Sequence, residues 1–168
     1  MHTSRRQFFS LFVPPGTPRP SASFDNDLHL LNRISWGARP DDLARLRAIG
    51  ASAYLQEQLH PEGIDDSAVD ERLRQTVPIL FMDRHDVHAL GFDGRVDRAL
   101  RDGFLLRAIH SRRQLYERMV DFWMDHFNIP AEGYAHDLIA CQRDVIRRHA
   151  LGKFRALAFS VARSPAML

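Results

Sequence analysis

The side chain best placed for chemistry is that of His126, which follows Trp123 by three residues. Residues at this spacing share one face of a helix, so the imidazole would rest against the indole ring. An imidazole held against an aromatic wall suits a metal ligand or a general acid–base group. The alternative is a histidine buried at a helix end, with its ring hydrogen-bonded to a carbonyl. His126 is therefore the candidate catalytic residue, and both interpretations stay open.

A second candidate is the pair His85 and His88, which are three residues apart with Asp83 nearby. Metal sites use such spacings, but they need three or four ligands that are held rigidly. The surrounding residues 83–94 carry little hydrophobic periodicity and contain two glycines, which predicts a mobile surface loop. We therefore expect no metal site, and the only candidate ligands are His85, His88 and His126.

Cys141 is the only cysteine, so no disulfide can form within the chain. Its neighbours Leu138, Ile139 and Val145 would make an apolar helical face, which predicts a small buried side chain rather than a nucleophile. The sequence has no glycine-rich phosphate loop, no Gly-x-Ser-x-Gly, no His-Glu-x-x-His and no Cys-x-x-Cys. These absences leave both the enzyme class, if any, and the cofactor unknown.

The composition is that of one folded domain of 168 residues, with 45% hydrophobic and 26% charged side chains. It excludes a wholly disordered chain and a protein with many membrane spans. Lys153 is the only lysine, so arginine supplies the other 22 of the 23 basic residues, against 21 acidic ones. Because the two signs are interleaved, we expect the arginines, including the pairs Arg112–Arg113 and Arg147–Arg148, to lie on solvated helix faces and to form salt bridges rather than to bind nucleic acid. An arginine-rich nucleic-acid binder stays as an alternative.

The N-terminal residues 3–9, Thr-Ser-Arg-Arg-Gln-Phe-Phe, are typical of a twin-arginine export signal. The apolar stretch that follows runs only from Phe8 to Val13, whereas a signal core has about 7–15 apolar residues. Residues 1–24 are therefore either an export signal or a disordered basic tail. No stretch has the ~18 consecutive apolar residues of a transmembrane segment.

The rest of the chain has the periodicity of helices and no alternating pattern typical of strands. The spacing predicts helices over about residues 28–34, 40–49, 52–59, 67–76, 95–127, 134–150 and 153–163. The helix over 95–127 is predicted to be the longest and to bury Leu115, Met119, Phe122 and Trp123. The expected fold is all-α, an irregular multi-helix domain.

Four blocks in order, at residues 31–37, 49–59, 119–127 and 149–168, resemble the domain-of-unknown-function 1800 family. The first leads into the aromatic–glycine pair Trp36–Gly37, and the third contains the Asp-Phe-Trp-Met-Asp-His run. Family members commonly carry a second histidine directly after the tryptophan, and this chain has Met124 there. Any role that requires a histidine pair would therefore lack one partner here.

The resemblance implies an uncharacterised, mainly helical bacterial protein with no assigned reaction. Members of the family often carry export signals, which favours a periplasmic or exported location over a cytoplasmic one. They are commonly encoded beside members of the domain-of-unknown-function 1501 family, which implies a protein partner. The leading hypothesis is a helical domain that acts with such a partner. The alternative is an enzyme fragment whose site, with His126 contributing, is completed by residues beyond the chain.

The resemblance also implies that residues 28–168 are the N-terminal part of a longer family domain. The fourth block stops at Pro165–Leu168, where the family continues into further helices. The last predicted helix carries Phe154, Leu157 and Val161 on one face, with no later element to cover them. We therefore expect the chain to be truncated at its C-terminus and this face to be uncovered.

Overall fold

The computed structural model describes residues 25–91, 94–129 and 135–167, and these ranges contain helices and no strand. The prediction of an all-α, irregular multi-helix domain is confirmed. The α-helices are α1 Asn26–Ile34, α2 Pro40–Ile49, α3 Ala51–Leu59, α4 Ser67–Thr76, α5 Arg84–Ala89, α6 Arg95–His110, α7 Gln114–Phe127, α8 Ala135–Ala140, α9 Arg147–His149 and α10 Phe154–Ala162. Short 3₁₀ turns span Pro61–Gly63, Pro78–Phe81 and Pro165–Met167, and a π-helical segment, Cys141–Ile146, joins α8 to α9. None of the described helices is long and apolar enough to span a bilayer.

Local signals set the limits of the first three helices. The Asp25 carboxylate caps α1 by accepting hydrogen bonds from the amides of Asp27 and Leu28, at 3.0 and 3.2 Å. Pro40 begins α2, where its missing N–H is no loss. Gly50 lies between α2 and α3 at a φ of 83°, a conformation that side chains with a Cβ rarely adopt. The three helices then bury a small core, made of Leu31, Leu46 and Tyr54.

The prediction of one continuous helix over 95–127 is wrong, because a turn at residues 111–113 separates α6 from α7. Ser111 ends α6, and its hydroxyl donates to the carboxylate of Asp66 at 2.5 Å. The amide of Arg112 donates to the other oxygen of Asp66 at 2.8 Å. Gln58 supplies a further acceptor, since its side-chain oxygen accepts a hydrogen bond from the amide of Leu115 at 3.1 Å. Buried polar groups from elsewhere in the chain therefore replace helical hydrogen bonds at this turn.

The prediction of a loop over 83–94 is wrong for Arg84–Ala89, which form α5. The Asp83 carboxylate caps this helix by accepting the amide of Asp86 at 2.9 Å. Val87 is 1% exposed and is the one side chain of α5 that is buried in the core. One buried contact in six residues is too sparse to produce a periodic pattern, which explains why the sequence favoured a loop.

Gly103 lies where α6 passes closest to the 3₁₀ turn Pro78–Phe81. A Cβ built on this glycine would lie 2.3 Å from Cδ1 of Leu80, a distance that non-bonded carbons do not tolerate. Glycine therefore lets the helix approach the turn, although glycine disfavours a helix interior by about 1 kcal/mol against alanine.

The C-terminal half packs α7, the π-helical segment and α10 around one apolar core. Leu157 and Val161 are each 1% exposed, so the expectation that this face of α10 is uncovered is wrong for both. Val120 of α7 and Ile146 of the π-helical segment belong to the same core and help to cover them. Cys141 is buried as predicted.

One side chain expected in the core lies at the surface instead, since Phe122 is 51% exposed, against the prediction that it is buried. Phe154 is 55% exposed, so the expectation of an uncovered face on α10 holds for this side chain. Leu115, Met119 and Trp123 are half-buried. Residues 1–24, which carry the export-signal prediction, lie outside the described residues.

Candidate functional site

His126 lies near the end of α7, at the centre of a surface group of aromatic rings. Its imidazole stacks on Phe122 at 5.9 Å and meets the ring of Trp123 edge-on at 5.4 Å. The rings of Phe127 and Phe154 lie 5.2 and 6.4 Å away, both nearly perpendicular to it. We call these five residues the aromatic patch. The predicted contact between His126 and Trp123 is present, and His126 is exposed rather than buried.

The helix repeat explains four members of the aromatic patch, and tertiary packing adds the fifth. Positions 122, 123, 126 and 127 fall on neighbouring rows of α7. Phe154 begins α10 and stacks on Trp123 at 5.6 Å. The indole of Trp123 is fixed because its Nε1 donates to the carbonyl of Ala150 at 2.9 Å. The patch is therefore a rigid aromatic surface with exposed rings on a fixed base.

His85 and His88 lie one turn apart on α5, and both rings are exposed. Across the ranges that the structure describes, no three His, Cys, Asp or Glu side chains are grouped as metal ligands would be. The structure therefore does not bring His85 and His88 together with His126 or with any other third ligand among the described residues.

A second site, which the sequence did not indicate, is a cavity of about 280 Å³ between α4, α6, α7, the Pro78–Phe81 turn and the π-helical segment. We call it the arginine cleft because five arginines line it. Asp70 supplies the only carboxylate among its lining residues, and Tyr116 and Gln142 supply further polar groups. The five arginines are Arg107, Arg113, Arg143, Arg147 and Arg148.

Arg147 is the buried anchor of the arginine cleft. Its guanidinium grips Glu117 with two nitrogens, of which Nη1 lies 3.0 Å from Oε2. The two side chains are 16% and 8% exposed, so the pair is largely withdrawn from water. Burial acts to lower the pKa of Arg147, but the Glu117 carboxylate outweighs it and the pKa is raised. Tyr116 adds its ring, 5.1 Å from the guanidinium carbon, and donates its hydroxyl to the Arg147 carbonyl at 2.7 Å.

Arg107 lies beside Arg147 and has no such carboxylate. Within the described part of the chain, its guanidinium makes no hydrogen bond and no ion pair, whereas Arg147 takes both oxygens of Glu117. Burial, and then repulsion from Arg147, lower the pKa of Arg107 to about 10, against which Glu117 and Asp70 act only in part. Arg107 is therefore a half-buried cation next to another cation.

Backbone carbonyls hold two further arginines at the wall of the cleft. Arg113 donates from Nε and Nη2 to the carbonyl of Ile64, at 3.0 and 2.8 Å. Arg143 donates from Nη1 to the carbonyl of Met82 at 2.7 Å, and it also pairs with Asp144 at 2.8 Å. The carbonyl contacts fix the two guanidinium groups without cancelling their charge.

The sequence contained a signal for this site that was assigned to solvent. The pairs Arg112–Arg113 and Arg147–Arg148 predicted solvated helix faces and salt-bridge partners. Arg147 does pair with Glu117, but the prediction of a solvated face is wrong for it, because the pair is largely buried. The π-helical segment places Arg143 on the wall that α9 continues with Arg147 and Arg148. Such π-turns within helices are frequent at functional sites.

The sequence profile of a family described as "Protein of unknown function (DUF1800)" matches residues 29–168. No curated protein and no solved structure matches the chain.

Proposed function

The chain belongs to the DUF1800 family of proteins of unknown function, and we propose that it is a helical domain that binds a protein partner through the aromatic patch. The observation that carries this proposal is the exposure of Phe122 and Phe154, at 51% and 55%, within a contiguous group of five rings. Exposed apolar groups of this kind mark interaction sites in soluble proteins. Aromatic side chains are also enriched in the buried centres of protein interfaces.

The surroundings of the aromatic patch fit an interface with a polar rim. Asp125 precedes His126 on α7, while Lys153 and Arg155 flank Phe154, and all three are exposed. Because Trp123 is already fixed by its hydrogen bond to Ala150, little side-chain freedom would be lost on binding. The partner would therefore present an apolar recess bordered by groups of both charges.

We propose a member of the domain-of-unknown-function 1501 family as the partner, because proteins that resemble this chain are commonly encoded beside that family. If residues 3–9 act as a twin-arginine signal, the two proteins would meet in the periplasm or outside the cell. A cytoplasmic location is the alternative. A reporter that is active only after export, fused behind residues 1–24, tests this, with Arg5→Lys and Arg6→Lys expected to abolish its activity. Full activity in the doubly substituted signal would contradict the export proposal.

The partner experiment measures binding between the purified chain and a purified domain-of-unknown-function 1501 protein encoded in the same genome. Phe154→Ala is expected to weaken binding at least about tenfold, because truncating a central aromatic anchor costs about 2 kcal/mol or more. Leu105→Ala is the matched control, since Leu105 is also exposed, at 46%, but lies on α6 outside the patch. Equal binding by the Phe154 variant and the parent would contradict the proposal. If the parent chain self-associates and only the Phe154 variant does not, the patch binds a second copy of the chain instead.

An enzyme that uses His126 is a second candidate, favoured by the exposed imidazole braced on three sides by aromatic rings. His126 would act there as an acid–base group or as a metal ligand. Metal analysis of the purified chain with and without His126→Ala tests the metal role. Bound metal that disappears in the variant would support it, and equal metal content in both would exclude His126 as a ligand.

Nucleic-acid binding is the third function that the arginine-rich composition suggested, and we expect the chain not to bind nucleic acid. Binding to phosphates along a duplex weakens steeply as salt rises. A steep salt dependence of binding to a DNA or RNA duplex would contradict this expectation.

A further inference from the structure

The charges around the arginine cleft do not balance. Of its five arginines, Arg147 is paired with Glu117 and Arg143 with Asp144. Of the other three, Arg148 is exposed to water, while the half-buried Arg107 and Arg113 face one carboxylate among the described lining residues, that of Asp70, which leaves one positive charge in excess. Asp65 acts on Arg113, and Asp83 on Arg143, only at longer range. A half-buried excess of positive charge is costly unless an anion enters the cleft.

Three of the guanidinium groups that line the cleft are already fixed in place, and a fourth, that of Arg107, has free donors. Arg113 and Arg143 are held by backbone carbonyls, and Arg147 is held by Glu117 and Tyr116. The guanidinium of Arg107 makes no hydrogen bond to the described residues, so all of its donors are available. Guanidinium groups bind oxyanions in a bidentate manner, and pre-positioned donors lose little freedom when they bind.

The size of the cleft limits the ligand. A volume of about 280 Å³ is at the low end of small-molecule sites and is too small for a folded partner or a duplex. Arg107, Gln142 and Arg147 also line a neighbouring cavity of about 150 Å³. Its walls combine apolar side chains, Trp36 and Phe104 among them, with the carboxylates of Glu117 and Asp121. The cleft therefore has room for one small anionic group beside a second, partly apolar cavity.

We propose that the arginine cleft binds a phosphate group, either free or on a small phosphomonoester, with Arg107 as its principal donor. Asp70 is half-buried at the cleft wall, and its carboxylate makes no hydrogen bond within the described residues. Its carboxylate accepts a hydrogen bond from the hydroxyl of hydrogen phosphate, a contact that sulfate, which has no hydroxyl at neutral pH, does not offer. A phosphomonoester offers the same hydroxyl only below its second pKa of about 6. The site is distinct from the aromatic patch, and it stands whether or not that patch binds a partner.

The test is a titration of the full chain with inorganic phosphate, followed by calorimetry and by the shift in melting temperature, against sodium chloride at matched ionic strength. We expect phosphate to bind and to raise the melting temperature, and sulfate to bind about tenfold more weakly. Phenyl phosphate distinguishes a phosphomonoester from free phosphate as the ligand. If the ester binds more tightly, its phenyl group occupies the neighbouring cavity beside Trp36 and Phe104. If inorganic phosphate binds more tightly, the ligand is the free ion. If neither phosphate has an effect beyond that of chloride, the proposal is overturned. If sulfate binds as tightly as phosphate, the role of Asp70 is overturned.

Arg107→Met keeps an unbranched, flexible stem and removes the guanidinium group with its charge. We expect it to weaken phosphate binding about tenfold or more, because a charge-assisted hydrogen bond is lost. Without phosphate, the variant should melt at the same temperature as the parent or higher, since it removes a repulsion from Arg147. Arg98→Met is the matched control, because Arg98 is exposed on the same helix and does not line the cleft. A purely structural role for Arg107 predicts the opposite pattern, a lower melting temperature with phosphate binding intact.

Discussion

The ion pair between Glu117 and Arg147 offers the sharpest test of how the arginine cleft is built. Glu117→Gln keeps the shape of the side chain but removes the charge that offsets Arg147. The two side chains are 8% and 16% exposed, so Arg147 would be left as a nearly buried cation beside Arg107. Breaking a buried pair by removing one partner costs about 3–5 kcal/mol. We expect the free energy of unfolding to fall by that amount.

The loss should be large enough to measure without abolishing the fold. Domains of this size are stable by about 5–15 kcal/mol, and for them 1 kcal/mol corresponds to about 2–4 °C in melting temperature. Urea unfolding followed by circular dichroism at 222 nm gives the free energy directly. The melting temperature should fall by about 10 °C.

An exposed ion pair provides the control. Glu57 pairs with Arg45 at 3.0 Å, with side chains that are 25% and 51% exposed. Glu57→Gln should cost less than about 1 kcal/mol, since water screens such pairs. A loss below about 1 kcal/mol for Glu117→Gln, equal to that of the control, would refute the view that burial makes this pair essential.

Three further predictions concern the helical framework. Gly103→Ala should lower the free energy of unfolding by up to about 2 kcal/mol in urea titrations, because overpacking against Leu80 outweighs the better helix propensity of alanine. A gain of about 1 kcal/mol would show that Leu80 moves freely. Asp66→Ala should cost about 2 kcal/mol by the same assay, because it leaves the buried hydroxyl of Ser111 without its acceptor; an unchanged value would mean that the turn does not depend on Asp66. Burial raises the pKa of Tyr54 to about 12 from 10.0, so the stability that its neutral form contributes is complete below pH 10 and is lost as pH rises towards 12. Tyr54→Phe should therefore flatten the fall in melting temperature between pH 10 and 12, and parallel curves would contradict this.

The aromatic patch was only partly accessible from the sequence. The spacing of Trp123 and His126 predicted their contact, because both residues belong to one helix. The exposure of the patch was not predicted, since the periodicity of α7 placed Phe122 in the core. Phe154 joins the patch from another helix, and no local pattern relates it to residues 27 or more positions away.

The arginine cleft was not predicted, although the arginine pairs that contribute to it were noticed in the sequence. Its walls come from α4, α6, α7, the π-helical segment and α9, which are far apart along the chain. In sequence, Arg107 and Arg147 each resemble any exposed arginine of an amphipathic helix. Only the packing of α7 against the π-helical segment brings Glu117 to Arg147 and leaves Arg107 without a carboxylate.

The sequence by itself determined the features that depend on near neighbours. Helix-forming periodicity, Pro40 at a helix start and Gly50 at a helix end fixed the all-α class and most helix limits, because these effects act within one or two turns. The tertiary structure decided the break at Ser111, since its hydrogen-bond partner Asp66 lies 45 residues earlier. The tertiary structure also decided that Gly103 lies against Leu80. It decided as well which arginine side chains are buried away from water. Each of these outcomes depends on atoms that only folding brings within a few ångströms, where hydrogen bonds, steric contact and desolvation act.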